Sequence, residues 1–130
     1  MSTRNIVHVE IPAANMEATS KFYQKLFDWK TLHIPEMNYT LWDNGNGSAG
    51  GFPAVSDQNP AGQVIVYIDS KDIDADLKKV EKLGGKVLMP KTEIPQTGWF
   101  GIFQDPTGNV IGLYTNMGEQ PSKHRKKLAG

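Results

Sequence analysis

His8 and Glu10 are the first residues in the chain equipped for chemistry. They stand two apart in IVHVEI, which alternates on a two-residue period. Ile6, His8 and Glu10 share one face of the predicted strand, and Val7, Val9 and Ile11 share the other. An imidazole and a carboxylate roughly 7 Å apart on one strand face can serve as an acid–base pair. Glu10 is the candidate general base if burial beside His8 moves its pKa. The simpler reading makes His8 a buried histidine bonded to Glu10 or Gln63, and Glu10 a solvated carboxylate.

Gln63 opens a second alternating stretch, QVIVYID, with Gln63, Ile65 and Tyr67 on one face. The segment QDPTGNVIGLYT (104–115) pairs a turn, Asp105-Pro106-Thr107-Gly108, with a strand whose Val110, Gly112 and Tyr114 share a face. Gly112 leaves a gap of the kind that a ligand or another backbone fills. Tyr67 and Tyr114 lie on the faces of Gln63 and Gly112, while Trp42, Trp99 and Phe100 sit in neighbouring strands whose facing stays open. For any one aromatic, core packing is the simpler reading. Together they suggest a cleft lined by apolar rings, suited to a small apolar or aromatic molecule.

These residues need strands and helices to position them. Asn15 is placed to cap a helix running to about Phe27, with Thr19, Tyr23, Leu26 and Trp29 at helical spacing. Lys30–Ile34, Asn38–Asp43 and a glycine-rich Ser48–Val55 read as strands, separated by turns at Pro35-Glu36 and Asn44–Gly47. Ser56–Gly62 (SDQNPAG) reads as a linker, after which the pattern restarts. Ser70 or Asp72 caps a second helix carrying Ile73, Leu77, Val80 and Leu83, a pattern that matches the first helix at an offset of 54 residues. Gly84-Gly85 ends it. Lys86–Met89, Gly98–Phe103 and Asn109–Thr115 complete the strands, and Pro90–Gly98 is expected as a loop over the cleft mouth. The plan is β-α-β-β-β written twice, an α+β fold. Module one spans 5–55, the linker 56–62, module two 63–116 and a flexible basic tail 117–130. A supersecondary repeat of this length cannot bury its faces alone.

Composition narrows the function classes. The chain has no cysteine, which removes disulfides, thiolate metal sites and a cysteine nucleophile. All 14 acidic residues lie at or before Glu119, whereas four of the 14 basic ones follow it, so the body is acidic. An acidic body argues against a nucleic-acid face. There is no apolar run of membrane-spanning length and no signal-peptide core, so a cytoplasmic location is expected. A phosphate-binding glycine loop and G-x-S-x-G are absent. His33 and His124 receive no role.

The segments 8–29, 66–87 and 104–115, in this order, resemble the vicinal oxygen chelate superfamily, which includes glyoxalase I, bleomycin-resistance proteins and extradiol dioxygenases. The resemblance covers residues 5–116. It implies two sheets facing each other around a cleft, with helices outside, and a homodimer. In metal-using members it implies four ligands, two per half. His8 holds the first position and Gln63 the equivalent place in the second half. The closing-strand carboxylate falls on Gly112, and the remaining one around Gly50–Phe52, within a stretch (44–56) that contains no Asp, Glu or His.

One imidazole and one neutral amide are a poor set for a divalent ion. The expectation is therefore a small-molecule-binding protein without a catalytic metal or other cofactor. The alternatives are a metal-dependent lyase, isomerase or dioxygenase using His8, Gln63 and Glu10, and a metal-free enzyme using His8 and Glu10 as acid and base.

Overall fold

A computed structural model describes residues 3–117, so the basic tail reading and His124 lie outside the described residues. Eight strands and two helices form a mixed α+β fold in the order β1 (Ile6–Glu10), α1 (Met16–Phe27), β2 (Lys30–Ile34), β3 (Tyr39–Asp43), β4 (Ala49–Pro53), β5 (Ile65–Asp69), α2 (Ile73–Lys82), β6 (Lys86–Ile94), β7 (Gly98–Gln104) and β8 (Val110–Asn116). The chain divides into two compact units, one of residues 6–66 and one that joins 3–5 to 67–117. The N-terminal residues thus pack with the second half, where Arg4 forms an ion pair with Asp76. That pair, through its hydrogen bond, holds the Asp76 carboxyl below the usual range, with a smaller contribution from Ser70.

The first unit orders its strands β2-β3-β4-β1, with β1 and β4 parallel and the other pairs antiparallel. Helix α1 begins where the Asn15 side chain accepts a bond from Ala18 N at 2.9 Å, and ends at Asp28 in the left-handed region, φ 61°. Its inner face closes over Ala13, Trp42 and Phe52, with Val9, Ile11, Met16, Tyr23 and Trp29 packed around them. Trp29 stacks on Trp42 with ring centroids 3.9 Å apart. This core carries unusual polarity: Ser20 and Thr40 are buried, and Trp42 Nε1 has no hydrogen-bond partner among the described residues.

The second unit repeats the plan, with β5 parallel to β8 and β7 between β8 and β6. Asp72 caps α2 through Ala75 N at 3.0 Å. Its core is apolar: Ile73, Leu77 and Leu113 with Ile68, Val87, Trp99 and Phe103. The two N-caps, Asn15 and Asp72, are 57 residues apart. The helices therefore superpose at 57, where apolar spacing alone predicted 54.

One expectation is corrected here. Residues 90–94 do not form a loop but continue β6, which reaches Ile94. Two register shifts, at 87–89 and 89–92, let the strand pass Pro90, as bulges admit proline into sheets. The connection is the tight turn 95–97, closed by Thr97 N to Ile94 O at 2.9 Å.

Candidate functional site

Strand alternation decides which side chains leave the helix-covered core. In β1, Val9 packs toward α1, so His8 and Glu10 project from the opposite face. In β3, Trp42 faces the helix and Tyr39 faces away with His8 and Glu10. Glu10 is in register with Gly51 of β4. Gly51 leaves the space into which the Tyr39 hydroxyl projects; a Cβ there would collide with that hydroxyl.

The three polar groups form a chain. The Tyr39 hydroxyl donates to Glu10 Oε2 at 2.7 Å and lies 2.7 Å from His8 Nε2. Tyr39 has one proton and gives it to Glu10, so His8 Nε2 must donate to the phenol oxygen. Burial pushes the His8 pKa down to about 4, so the ring is neutral at pH 7 and Nδ1 carries no proton. His8 and Glu10 are thus linked through a phenol rather than directly. Tyr39 was missed because the alternation of NYTLWD does not say which face is inward; only the packing of Trp42 decides it.

The second unit repeats the device. Tyr67 is in register with Gly112, and a Cβ on Gly112 would collide with the Cδ2–Cε2 edge of the Tyr67 ring. Tyr67 is buried, 6% exposed. Phe100 and Ile102 pair with Tyr114 and Gly112, which puts all four on the face of Tyr67. The Tyr114 hydroxyl donates to Thr97 O at 3.3 Å. Three expected site residues fall elsewhere. Trp42 and Trp99 pack on the helix sides of their sheets. Gln63 precedes β5, and its Nε2 donates to Gln58 O at 3.2 Å.

Comparison with known proteins decides the family. The profile of the Glyoxalase/Bleomycin resistance protein/Dioxygenase superfamily matches residues 5–113. The chain belongs to this superfamily. CFP32 of Mycobacterium bovis, provisionally named a glyoxylase, is 28% identical over 113 residues, covering 82% of this chain and 43% of that protein. The chain therefore spans less than half of that relative. A glyoxylase-like domain-containing protein of Didymella fabae is 28% identical over 119 residues, covering 85% and 93%. Methylmalonyl-CoA epimerase from Mycobacterium tuberculosis shares the fold, with a TM-score of 0.68 at 15% identity over 92% of this chain and 95% of that one.

The residues present do not fit the metal that the superfamily resemblance implies. Gly51 and Gly112 supply no ligand, and tyrosines fill their places. His8 Nε2 is turned to Tyr39, and Gln63 to a backbone carbonyl. Among the described residues, no group of three His, Cys, Asp or Glu could hold an ion. None of the described helices is long and apolar enough to cross a membrane.

Tyr39→Phe tests the chain of bonds. Removing the hydroxyl deprives a buried imidazole donor of its acceptor and should cost about 1–3 kcal/mol in urea unfolding. It should also release the His8 tautomer, read from ring 15N shifts. An unchanged tautomer with unchanged stability would mean that the contact carries no weight.

Proposed function

We propose that this superfamily member binds a small apolar or aromatic molecule on the sheet faces opposite its helices, without a catalytic metal. One observation carries the reading: at Gly112, where the resemblance implies a metal-binding carboxylate, and at Gly51, within the Gly50–Phe52 stretch where it implies the other, the space is taken by a tyrosine, Tyr67 and Tyr39 respectively. The substitution exchanges charge for neutral aromatic side chains. It favours a ligand recognised by ring contact and a few hydrogen bonds.

Metal content and metal-induced thermal shift test it, using untagged protein with Ni, Zn, Mn and Fe(II) beside His8→Ala. A ligand that binds only the native state raises the melting temperature with concentration. No metal-dependent shift is expected, whereas an aromatic fragment panel should give saturable NMR shifts at Tyr39, Tyr67 and Tyr114. A metal shift that disappears in His8→Ala would overturn the proposal. NMR is the better readout because Trp42 and Trp99 lie in the helix-side cores, where tryptophan fluorescence would report poorly.

The unbroken His8–Tyr39–Glu10 chain favours a second reading, proton transfer on the bound molecule. Under that reading Tyr39→Phe would lower turnover by about 10²–10⁴ while binding persists. Under the first reading Tyr39→Phe alters binding alone.

A further inference from the structure

The two halves differ where each helix seats on its sheet. Leu77 is the fifth residue after the α2 N-cap and is buried in an apolar core. The corresponding position in α1 is Ser20, equally buried at 7% exposed. Beside Ser20 lies a cavity of about 410 Å³ lined by Met16, Glu17, Ser20, Lys21, Gln24, Thr31, His33 and Thr40. It lies on the helix side of the sheet, away from His8 and Glu10.

Apart from Met16 the residues that line it are polar or charged, although much of the surface they present is carbon, and at position 20 a serine stands where the other half packs a leucine. Such a departure from an apolar seat points to function. We propose that this groove between α1 and the β2–β3 hairpin binds a neutral, polyhydroxylated small molecule of polyol or monosaccharide size.

Three features select that chemistry. The charges on the rim cancel, since Lys21 Nζ and Glu17 Oε2 are 3.4 Å apart, so no net charge calls for an ion. The remaining groups alternate donor and acceptor. Gln24 Nε2 donates to Thr31 Oγ1 at 2.7 Å, leaving the Gln24 carbonyl to accept and the Thr31 hydroxyl to donate. His33 Nδ1 is paired with buried Thr40 Oγ1 at 2.8 Å, which turns Nε2 outward. The Ser20 side chain lines the same cavity. A hydroxyl is the ligand group that both donates and accepts, and Met16 offers an apolar contact for a ring's C–H face.

The test is a 1H–15N NMR titration of the full chain with glycerol, D-ribose and D-glucose to about 50 mM, a range that reaches millimolar affinities. Saturable shifts at Ser20, Gln24, Thr31 and Thr40 are expected with at least one of the three. Ser20→Leu copies the residue of the second half and should abolish them. Gln24→Ala changes an exposed helix position, so it tests the site even if the leucine variant fails to fold; it should weaken binding about tenfold through one lost hydrogen bond. Linear, unsaturated shifts with all three probes would overturn the proposal. So would saturable shifts that survive Gln24→Ala unchanged.

Discussion

Acidification from about pH 6.5 to about pH 4 is expected to remove about 2–3 kcal/mol of folding stability through His8 alone. The sign follows from which state binds the proton. Burial lowers the folded pKa of His8 to about 4, below the ordinary value of 6.5. In that window the unfolded chain takes up a proton that the folded chain refuses. Stability is therefore complete above the unfolded pKa and falls as pH drops toward the folded one. The full separation corresponds to about 3 kcal/mol, and the ring's residual solvent contact lowers the expected figure slightly. The groups that face His8 in the first unit are Tyr39 and, through it, Glu10.

Urea unfolding at a series of pH values measures the loss, and His8→Gln, which does not titrate, isolates it. The variant should have a flat profile down to the carboxylate range. Asp76 and Asp105, whose carboxyls are also held below the usual range, lose their contributions only at lower pH. A wild-type profile as flat as that of His8→Gln would mean that His8 is not the buried neutral group described here.

Much of the fold was legible because its signals are local. Asn15 and Asp72 both cap their helices with their own side chains, and the strands of each half fall close to the alternating stretches. What failed was non-local. Apolar spacing matched the helices at 54 because Leu26, read as part of an apolar face, is in fact more than half exposed. The N-caps put the offset at 57, which makes Ser20 the counterpart of Leu77. No pattern-based search for apolar faces could have matched a serine to a leucine. Pro90 suggested a loop, but one register shift just before it and another that spans it allow β6 to continue.

The candidate site was half legible for the same reason. His8, Glu10 and Gly112 could be assigned to faces by parity within their own strands. Trp42 and Trp99 could not, because the side that a strand turns to its helix depends on packing against residues far away in sequence. Gly112 was singled out as a gap, yet its occupant, Tyr67, lies 45 residues earlier on the neighbouring strand. Tyr39 carried no chemical signal of its own. It becomes a polar bridge only because Gly51 opens the space for its hydroxyl.

Restoring the carboxylate that the superfamily resemblance implies should damage the protein. Gly112→Glu is expected to cost at least about 3 kcal/mol, read from urea unfolding. A Cβ at Gly112 already collides with the edge of the Tyr67 ring, so a glutamate must displace that ring from its buried seat. Exposing a tyrosine ring forfeits about 1.5–3 kcal/mol of burial, and an incoming carboxylate without a cation partner adds a desolvation cost. Gly112→Ala is the milder version, at about 1–3 kcal/mol of overpacking, and it remains measurable if the glutamate variant does not fold. The two residues should couple strongly. In a Tyr67→Ala background the seat is vacant, and the alanine penalty at 112 should shrink by about 1 kcal/mol or more. A penalty that is the same in both backgrounds would show that Tyr67 does not fill the gap at Gly112. The central support for a tyrosine-for-carboxylate exchange would then be lost.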